Sequence, residues 1–562
     1  MLEGGIKMKQ YILRSGSRII TLIIVTIIIF SSFSTTYAAP IVPQNIKVGL
    51  SFNNAANNNF ILKSDYGIKL SSKTSAGYAE ILTFPAATGF KVRKDAYYNI
   101  VNNKETEINY TKAGLYNGEL EGPYHIQIGD VYPDLNSAKV VADSMISLSQ
   151  TVFVAYENGW RVWSQLYLEE SECLTQIQIF KNEMPNYTYT VVAPNKSRIQ
   201  LFDTVTGKLM YIINAEQEIK LEPVAKDNIT PVISFGTLKY RGVLFLKRVA
   251  AGHINIYNEL LFEQYLYGVV PAEMPNSWHI EALKAQAVAA RNYGIINIGR
   301  HTADGFDVCN GTHCQAYRGF GHENPRTNQA TDETKGKLVL YNDKVIPTYF
   351  HSSSGGRTEN SENVWSTVLP YMKGVDDKYG LGSPYDNWTK QYNKKDIQTK
   401  LLANSIDVGE INDIVPLTIS ENGRVTCLEV RGTKGNAKLD KEKIRTILGS
   451  SDIKSTWYKI TTDADMSVIN SVTGKSETAR PGSLYVMSAN GVSKLSTTNN
   501  KVYLKDQVAL SSMSVIPQTY LFAGKGWGHG LGMSQYGAKG MAEAGFNFIQ
   551  ILEHYYTGTK VN

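Results

Sequence analysis

The sequence predicts an α+β protein: a mixed, β-rich domain that contains a buried helix, together with a smaller βαβ-type module. Three observations predict this class. Residues 41–118 contain short β-type segments separated by Asn-rich turns. Residues 124–195 change twice from the alternation of a strand to the spacing of a helix. After residue 199 the β-type segments return and flank a run rich in small apolar residues, 277–297.

The composition is that of a folded, globular chain. Its 562 residues are 43% hydrophobic and 19% charged, and its 46 Gly and 18 Pro follow no fixed period. The formal net charge is +6, and half of this excess comes from residues 1–18. The remainder is too weak to indicate a nucleic-acid partner. Disordered, collagen-like and nucleic-acid-binding proteins are therefore excluded as classes.

The first 38 residues have the order of a secretory signal peptide. A basic stretch precedes the apolar run 19–30, and small residues with Tyr37-Ala38-Ala39 follow it. The run is shorter than the roughly 20 residues that cross a bilayer. We therefore expect the rest of the chain to lie outside the cytoplasmic membrane, secreted or in the cell envelope. An uncleaved segment that anchors the protein to the membrane is the alternative.

The smaller module covers residues 120–195 and is built as a repeat. Strand-like Tyr124–Gly129 precedes a helical stretch at Asn136–Met145, and strand-like Trp160–Gln165 precedes an amphipathic stretch at Ser171–Lys181. This repeat resembles a SPOR domain, a sporulation-related module that binds glycan strands stripped of their peptides. The resemblance implies glycan binding by the module. A generic ferredoxin-like module is the alternative.

The segment around Glu273 predicts a turn followed by a helix. Pro271 and Pro275 flank Glu273, and we expect them to keep it out of a helix. Asn276 or Ser277 can then cap the helix that follows. A carboxyl group fixed on such a turn is a candidate for acid/base chemistry. An ordinary helix start is the alternative.

Two cations lie on the helix predicted after this turn. Lys284 and Arg291 are seven residues apart and therefore share one face. Glu281 falls in the first turn, where the helix dipole favours an acidic residue. A cation close to a carboxyl group lowers the pKa of that group. We therefore expect Lys284 and Arg291 to bind substrate or to position other groups rather than to contact Glu273.

A cluster of four possible metal ligands follows this helix. His301, Cys309, His313 and Cys314 supply four N or S donors within 14 residues. These are the ligands of a tetrahedral zinc site, and four protein ligands leave no position for an activated water, which predicts a structural ion. A disulfide between Cys309 and Cys314, or histidines with ordinary loop hydrogen bonds, are the alternatives.

Four motifs occur in order along the chain after residue 264. They are Gly268–Pro275 with the helix after it, Cys314–Gly319, His351–Glu359 and Gly526–Ala538. Together they resemble the stage II sporulation protein D family. The β segments of residues 45–118 also resemble the start of this family's domain. The SPOR-like module would therefore split one catalytic domain, formed by residues 45–118 and 199–562.

This resemblance implies a lytic transglycosylase that cleaves denuded peptidoglycan strands during cell-wall remodelling in sporulation. It implies that Glu273 is catalytic, that Lys284 and Arg291 support it, and that the loop with the four N/S donors holds zinc. A sister branch of the family enhances cell-wall amidases. The alternative function is therefore a protein that binds glycan without cleaving it and stimulates an amidase partner.

The remaining motif residues are candidates for substrate binding. Glycines in the segment 524–530 let the backbone approach a sugar. The serines near residue 353 lack the Gly-x-Ser-x-Gly elbow of a serine hydrolase, which favours a loop that lines a groove. The candidates are Gln315, Tyr317, Ser353, Ser354, Trp527, His529 and Gln535.

The implied chemistry needs only one carboxyl group. Ordinary glycosidases use two, whereas a lytic transglycosylase uses one group first as acid and then as base. Glu273 must then be protonated near neutral pH, which requires an apolar pocket. We expect neighbours in the sequence to form this pocket: Val269, Val270, Met274 and Trp278.

Overall fold

The structure, a computed structural model, describes residues 42–146 and 151–562, apart from 470–473, 475, 482–483, 496, 498–499 and 506–507. The predicted signal peptide or anchor at residues 1–38 lies outside the described residues. Among the described residues, no helix is long and apolar enough to span a bilayer. They form a mixed α+β structure that is rich in strands, as predicted.

The helices and strands are numbered in chain order. The helices are α1 (Leu135–Ile146), α2 (Glu170–Glu183), α3 (Phe262–Glu273), α4 (Ile280–Asn297), α5 (Pro325–Glu333), α6 (Ser361–Val364), α7 (Lys394–Ala403), α8 (Lys443–Leu448), α9 (Gln535–Glu543) and α10 (Phe548–Tyr555). The strands up to residue 261 are β1 (Asn45–Ser51), β2 (Asn59–Lys63), β3 (Ile68–Thr74), β4 (Gly77–Phe84), β5 (Gly89–Lys94), β6 (Tyr98–Val101), β7 (Lys104–Glu107), β8 (Glu119–Glu121), β9 (Tyr124–Tyr132), β10 (Val152–Tyr156), β11 (Trp160–Tyr167), β12 (Tyr189–Val192), β13 (Arg198–Asp203), β14 (Leu209–Asn214), β15 (Ile219–Pro223), β16 (Ile233–Phe235), β17 (Leu238–Tyr240), β18 (Val243–Arg248) and β19 (Ile254–Leu261). The later strands are β20 (Val308–Cys309), β21 (Val339–Tyr341), β22 (Lys344–Val345), β23 (Phe350–His351), β24 (Trp388–Asn393), β25 (Ile411–Ile419), β26 (Val425–Gly432), β27 (Gly435–Asp440), β28 (Tyr458–Thr462), β29 (Met466–Ile469), β30 (Ser476–Ala479), β31 (Tyr485–Ser488), β32 (Gly491–Lys494), β33 (Lys501–Lys505), β34 (Leu510–Ser514), β35 (Thr519–Gly524), β36 (Met533–Ser534) and β37 (Lys560–Val561).

Two large sheets share the first hydrophobic core. One has the strand order β20-β1-β19-β18-β15-β3-β4, and the other has the order β12-β9-β11-β10-β14-β13-β5-β2-β16-β17. In β2, Phe60 and Leu62 point into the core while Ile61 is exposed, because successive side chains of a strand point to opposite faces. β1 pairs antiparallel with β19 and parallel with β20. The chain segments before and after the inserted module therefore belong to one sheet.

The unit at residues 124–192 has the order β9-α1-β10-β11-α2-β12. β9, α1, β11 and α2 lie where the sequence predicts them, whereas β10 and β12 are additional strands. It is built into the ten-stranded sheet, since β10 pairs in parallel with β14. The buried ring of His125 lies with its Nε2 3.1 Å from Asp95 Oδ2, outside the unit. Ile126 and Phe180 belong to the first hydrophobic core. The identity of the unit as a SPOR-like, glycan-binding module stays a prediction.

The prediction that two prolines keep Glu273 out of a helix is wrong. Helix α3 contains Pro271 and ends at Glu273. The fixed φ of a proline, about −65°, suits a helix, and in the last turn a proline removes only one backbone hydrogen bond. Pro275 lies beyond the helix end. Glu273 is therefore fixed by the C-terminal turn of a helix.

Helix α4 is the buried helix that the sequence predicts. It begins later than expected, with His279 rather than Asn276 or Ser277 at its N-cap. The His279 ring accepts a hydrogen bond from the backbone N–H of Glu281, which satisfies one of the free donors of the first turn. Small buried residues let α3, α5, α9 and α10 pack against this helix: Ala282, Ala285, Ala287, Ala289 and Ala290.

The C-terminal part of the chain contains two further cores. Helices α4, α9 and α10 contribute to one of them. The other lies between the sheets β24-β35-β28 and β25-β26-β27, with α7 and α8 packed on it. β28 and β35 pair with each other. Three antiparallel strand pairs lie between them in the chain: β29 with β30, β31 with β32, and β33 with β34.

A chain that lacks residues 120–195, with its ends joined, is expected to lose its cooperative fold. β14 would lose its partner β10, and apolar residues of the first core would be exposed to water. Size-exclusion chromatography and thermal unfolding followed by circular dichroism measure this effect. Deletion of residues 466–514, which lie outside both large sheets, is the control and should leave a cooperative transition. A soluble, cooperatively folded chain without residues 120–195 would show that this unit is dispensable.

Candidate active site

Glu273 lines an open cleft of about 350 Å³. This volume lies within the range of about 300–1,000 Å³ that is usual for sites of small ligands. The cleft walls come from α3, from α4, from the loop after β20 and from the segments around β23 and β36. The lining residues are Glu273, Tyr293, Thr312, Cys314, Gln315, Ala316, Tyr349, Phe350, Trp365 and His529.

The carboxyl group of Glu273 has an unusual affinity for protons. Burial raises the pKa of Glu273 to about 7, against the lowering effects of a hydrogen bond from the Ala316 N–H and of the Arg318 charge. Glu273 is also the last residue of α3, where the negative end of the helix dipole disfavours an anion. Near neutral pH, both the acid and the carboxylate are therefore populated, and the group can donate a proton as well as accept one.

The apolar surroundings of Glu273 come from residues other than those predicted. Val269, Val270 and Met274 are buried in the hydrophobic cores and do not line the cleft. Trp278 packs against Tyr536 instead. Aromatic residues distant in the sequence supply the apolar walls: Tyr293, Tyr349, Phe350 and Trp365.

Gln535 holds the backbone of Glu273 in place. Its Nε2 donates to the carbonyl oxygen of Glu273 at 3.1 Å and to Gln286 Oε1 at 3.3 Å. Both glutamine side chains are buried. The last carbonyl groups of a helix have no partner within the helix, so this hydrogen bond fixes the end of α3. Gln535, which the sequence suggested as a substrate-binding residue, therefore positions Glu273.

Gln315 is a predicted substrate-binding residue that does line the cleft. Its Oε1 accepts a hydrogen bond from the Tyr265 hydroxyl at 3.0 Å. Its buried Nε2 has no hydrogen-bond partner in the described part of the chain. A buried donor without a partner is unfavourable unless a ligand or water pairs with it. Gln315 is therefore suited to donate a hydrogen bond to a ligand in the cleft.

His529 also lines the cleft, as predicted. Its Nδ1 accepts a hydrogen bond from the backbone N–H of Leu531 at 3.0 Å. Burial and the charges of Arg445 and Arg424 lower the pKa of His529 to about 3. The imidazole is therefore neutral near pH 7. Its ring centroid lies 5.5 Å from that of Trp365, in the aromatic wall of the cleft.

Two other predicted substrate-binding residues are buried away from the cleft. The Tyr317 hydroxyl donates to Asn258 Oδ1 at 2.8 Å. The Ser354 hydroxyl donates to the buried carboxylate of Asp377. Both side chains are almost fully inaccessible to solvent. These residues hold the walls together and do not meet a ligand directly.

Ser353 and Trp527 form a short β-bridge next to the cleft. Their backbone N–H and C=O groups exchange two hydrogen bonds, and the Ser353 side chain is buried. The Trp527 ring packs edge-on against Tyr385, with Lys454 Nζ 4.8 Å from its centroid. Neither residue lines the cleft of Glu273. The glycine-rich motif thus shapes the backbone near the cleft rather than its lining.

Lys284 and Arg291 form ion pairs away from Glu273. The fully buried guanidinium of Arg291 binds both carboxylate oxygens of Glu263, at 2.9 and 2.8 Å, and donates to two backbone carbonyls. Lys284 Nζ lies 2.8 Å from Glu281 and 2.8 Å from Glu333. As expected, neither cation contacts the carboxyl group of Glu273. A buried Arg291 does not reach substrate, however, and its role is to join α4 to α3.

The four predicted metal ligands lie together. Their donor atoms are all within 4.8 Å of one another. His313 Nδ1 lies 3.3 Å from His301 Nε2, 3.7 Å from Cys309 Sγ and 3.6 Å from Cys314 Sγ. A zinc ion about 2.0–2.3 Å from each donor would separate the donors by roughly 3–4 Å. The donor set therefore fits zinc.

The surroundings of these ligands agree with a metal centre. His301 Nδ1 lies 3.0 Å from Asp304 Oδ2, and a carboxylate at this position orients a ligating imidazole. Cys309 and Cys314 are free thiols rather than a disulfide. Cys309 belongs to β20, which pairs with β1, and Cys314 lines the cleft of Glu273. The loop thus connects the N-terminal sheet with the wall of the cleft.

Comparison with known proteins agrees with this arrangement. Residues 250–341, which contain α3, α4 and the four N/S donors, match the family described as Stage II sporulation protein (SpoIID). This part of the chain therefore carries a domain of the stage II sporulation protein D family. Residues 355–475 match a second family, described as a domain of unknown function (DUF8618). The two matched regions meet at the cleft, since Trp365 lies in the second.

The relatives of this chain carry two kinds of name. The amidase enhancer of Bacillus subtilis is 35% identical over 311 residues, which are 53% of this chain and 40% of that protein. Stage II sporulation protein D of Bacillus subtilis is 28% identical over 318 residues, 53% of this chain and 74% of that protein. An uncharacterized protein of Brachyspira hyodysenteriae is 27% identical over 410 residues, 71% of this chain and 95% of that protein. The chain thus spans less than half the length of the amidase enhancer.

Sequence reasoning missed the aromatic lining of the Glu273 cleft. Tyr293 follows Arg291 by two residues, and Tyr349 and Phe350 directly precede the motif that begins at His351. The sequence signal for these three residues was that they lie beside a motif. This signal does not distinguish a residue that lines the cleft from a residue of the core. Trp365 lies outside all four motifs, and only the folded chain brings it to Glu273.

The ion pairs of α4 predict different effects on stability. Arg291→Met leaves Glu263 and two carbonyls without their partner in a buried place, and we expect it to lower the free energy of unfolding by about 3–5 kcal/mol. Lys284→Met removes a partly exposed pair and should cost about 1 kcal/mol or less. Urea unfolding at equilibrium measures both. Equal losses in the two variants would contradict a structural role for Arg291.

Proposed function

We propose that this protein is a peptidoglycan lytic transglycosylase of the cell envelope that cleaves denuded glycan strands. The observation that carries the proposal is the carboxyl group of Glu273, whose pKa is raised to about 7 in a cleft walled by aromatic rings. A group with this pKa can serve as acid and base in one catalytic cycle at neutral pH. Aromatic walls suit the flat, apolar faces of sugar rings.

In the proposed reaction, protonated Glu273 first donates its proton to the oxygen of the glycosidic bond. That bond breaks at the anomeric carbon of muramic acid, and the N-acetylglucosamine side leaves as an alcohol. The resulting carboxylate then accepts the proton of the muramic C6 hydroxyl, whose oxygen attacks the anomeric carbon. A 1,6-anhydro ring forms, no water is consumed, and Glu273 returns to its protonated state.

The other cleft residues support this reaction by binding and orientation. The free Nε2 of Gln315 would donate to the sugar, and the neutral ring of His529 would pack beside it without competing for the proton. Gln535 would keep the end of α3, and with it the carboxyl group, in one place. Holding a reacting group in position is a large part of the rate gain available to an enzyme.

We also propose that His301, Cys309, His313 and Cys314 hold one structural zinc ion. When bound, zinc would cross-link the loop between β20 and the cleft wall, and its closed shell would take no part in the chemistry. The ion would keep Gln315 and Ala316 in place, since both follow Cys314 directly in the chain.

A second candidate function is enhancement of a cell-wall amidase. It is favoured by the 35% identity to a relative named amidase enhancer. In that case the cleft would bind the glycan strand without cleaving it, and the chain would stimulate an amidase partner. The two functions differ in their products, because only the first makes 1,6-anhydro sugars.

Glu273→Gln tests the catalytic proposal. The amide keeps the shape and hydrogen bonds of the side chain but transfers no proton, so cleavage should fall by a factor on the order of 10² to 10⁴ while glycan binding persists. Purified denuded strands are incubated with each protein, and 1,6-anhydro products are measured by mass spectrometry. Wild-type turnover in the variant would remove Glu273 from the mechanism. Binding without products in the wild-type protein, together with stimulation of an amidase, would favour the enhancer.

Stability across pH gives a readout of the same variant that does not depend on activity. A carboxyl group whose pKa rises from 4.5 to about 7 on folding favours the folded state at low pH, and this contribution is lost as the pH rises through 7. Gln carries no charge, so Glu273→Gln should gain up to about 3 kcal/mol over wild type between pH 4.5 and pH 8. Glu333→Gln is the control and should show no such gain, because Lys284 lowers the pKa of Glu333.

The proposed zinc site predicts the metal content of the purified protein. Protein purified without added metal should contain about one zinc ion per chain by mass spectrometry of the metals, and four free thiols after unfolding. Chelation should lower the melting temperature and weaken glycan binding, because the cleft wall loses its cross-link. Cys427→Ser, in a thiol outside the cluster, is the control and should keep the metal. A metal-free protein with Cys309 bonded to Cys314 would contradict the zinc proposal.

A further inference from the structure

A second depression lies beside the cleft of Glu273. This groove has a volume of about 780 Å³ and is formed by the segment after α6, by β25, β26 and β27, and by the start of α8. It lies within the region that matches a domain of unknown function. Its lining residues are Asn363, Val364, Trp365, Ser366, Thr418, Thr426, Cys427, Asp440, Lys441, Glu442 and Lys443.

Trp365 joins the groove to the cleft. It is the residue that lines both cavities among those described. Its ring packs edge-on against Tyr349 at 4.4 Å, on the cleft side. Its carbonyl oxygen accepts a hydrogen bond from Lys441 Nζ at 2.9 Å, on the groove side. The position of Trp365 is therefore fixed from both sides, and a long ligand that leaves the cleft meets the groove next.

The lining of the groove is rich in hydrogen-bonding groups. Thr418, Cys427 and Asp440 are direct neighbours in register across β25, β26 and β27. The hydroxyl groups of Thr418 and Thr426 lie 2.7 Å apart and are accessible. Hydroxyl, amide and carboxylate groups beside an aromatic ring are the set that suits a polysaccharide, which presents hydroxyl groups at its edges and apolar faces between them.

One cation in the groove is available to a ligand. Lys441 is bonded to the Trp365 carbonyl, and Glu442 pairs with Arg445. Lys443 is exposed and forms no ion pair with any described residue. Removal of the peptide from muramic acid by hydrolysis of its amide bond leaves a free lactyl carboxylate on the sugar. A denuded strand therefore presents one carboxylate per disaccharide, which an ammonium group can bind.

We infer that this groove binds the glycan strand beyond the bond at Glu273, with Lys443 contacting a free lactyl carboxylate. The inference rests on the proposed function for the identity of the ligand. It gives the domain of unknown function the role of an extended substrate subsite. Short fragments would fill the cleft alone, whereas long denuded strands would also occupy the groove.

Lys443→Gln tests this inference in the full-length chain. Lys443→Gln and its control, Lys438→Gln, are each combined with Glu273→Gln, so that binding is measured without cleavage. Lys443→Gln should weaken binding of long denuded strands by about two- to fivefold, as expected for one exposed ion pair. It should not change the affinity for tetrasaccharide fragments, because these do not reach the groove. It should also not change the affinity for chitin oligomers as long as the denuded strands, because chitin carries no lactyl carboxylate.

Lys438→Gln is the matched control. Lys438 is an exposed lysine of β27, five residues before Lys443 in the chain, but it does not line the groove. Equal affinities of the Lys443→Gln and Lys438→Gln proteins for long strands would overturn the inference. So would a Lys443→Gln protein that binds glycan normally but no longer stimulates an amidase, since the groove would then be a protein-binding surface. Equal affinities of the two variants would not bear on cleavage by the wild-type protein, and the proposed function would stand.

Another outcome would support the glycan-binding groove and contradict the proposed cleavage. If the wild-type protein forms no 1,6-anhydro product while Lys443→Gln weakens binding of long strands as described, the groove is a glycan subsite of a non-cleaving protein. Trp365→Ala serves as a positive comparison, because it borders both cavities and should weaken binding of short and long strands alike.

Discussion

The cleft depends on one constraint: a carboxyl group is kept half-buried at the end of a helix, without a carboxylate-binding cation in direct contact. Burial raises the pKa of Glu273, and only the Ala316 N–H and the charge of Arg318 oppose it. The carboxyl group is carried by the last residue of α3, where the backbone carbonyl groups have no partner within the helix. The hydrogen bond from Gln535 to the Glu273 carbonyl, backed by Gln286, supplies that partner.

Much of the motif sequence serves this support rather than contact with a ligand. Arg291 joins α4 to Glu263 of α3, and Tyr317 packs so closely on α3 that a side chain at Gly268 would collide with its ring, 2.6 Å away. Ser354 is bonded to a buried carboxylate. Buried polar groups of this kind hold a unique arrangement only when all of them are paired. A family motif can therefore mark the frame of a site as strongly as its reacting group.

The sequence was informative where a local rule decides the structure, and it failed where distant segments meet. The positions of β9, α1, β11 and α2 follow from their periodicity, and the proximity of His301, Cys309, His313 and Cys314 follows from their spacing. The end of α3 was misjudged because a proline in a last turn loses only one hydrogen bond. The aromatic lining could not be derived, since Trp365 and Glu273 are brought together only by the packing of separate cores.

The energetics of Glu273 also bear on which of the two candidate functions the cleft serves. Near neutral pH, a carboxyl group with a raised pKa makes the folded state less stable than an uncharged side chain of the same shape would. A site that only binds a glycan gains nothing from this cost, because glutamine offers similar hydrogen bonds without the charge. A site that must give and take a proton requires it. Loss of stability at a reacting group is the usual consequence of an active site, whose demands conflict with those of folding. The cost carried by Glu273 is therefore the one that the proposed cleavage would require.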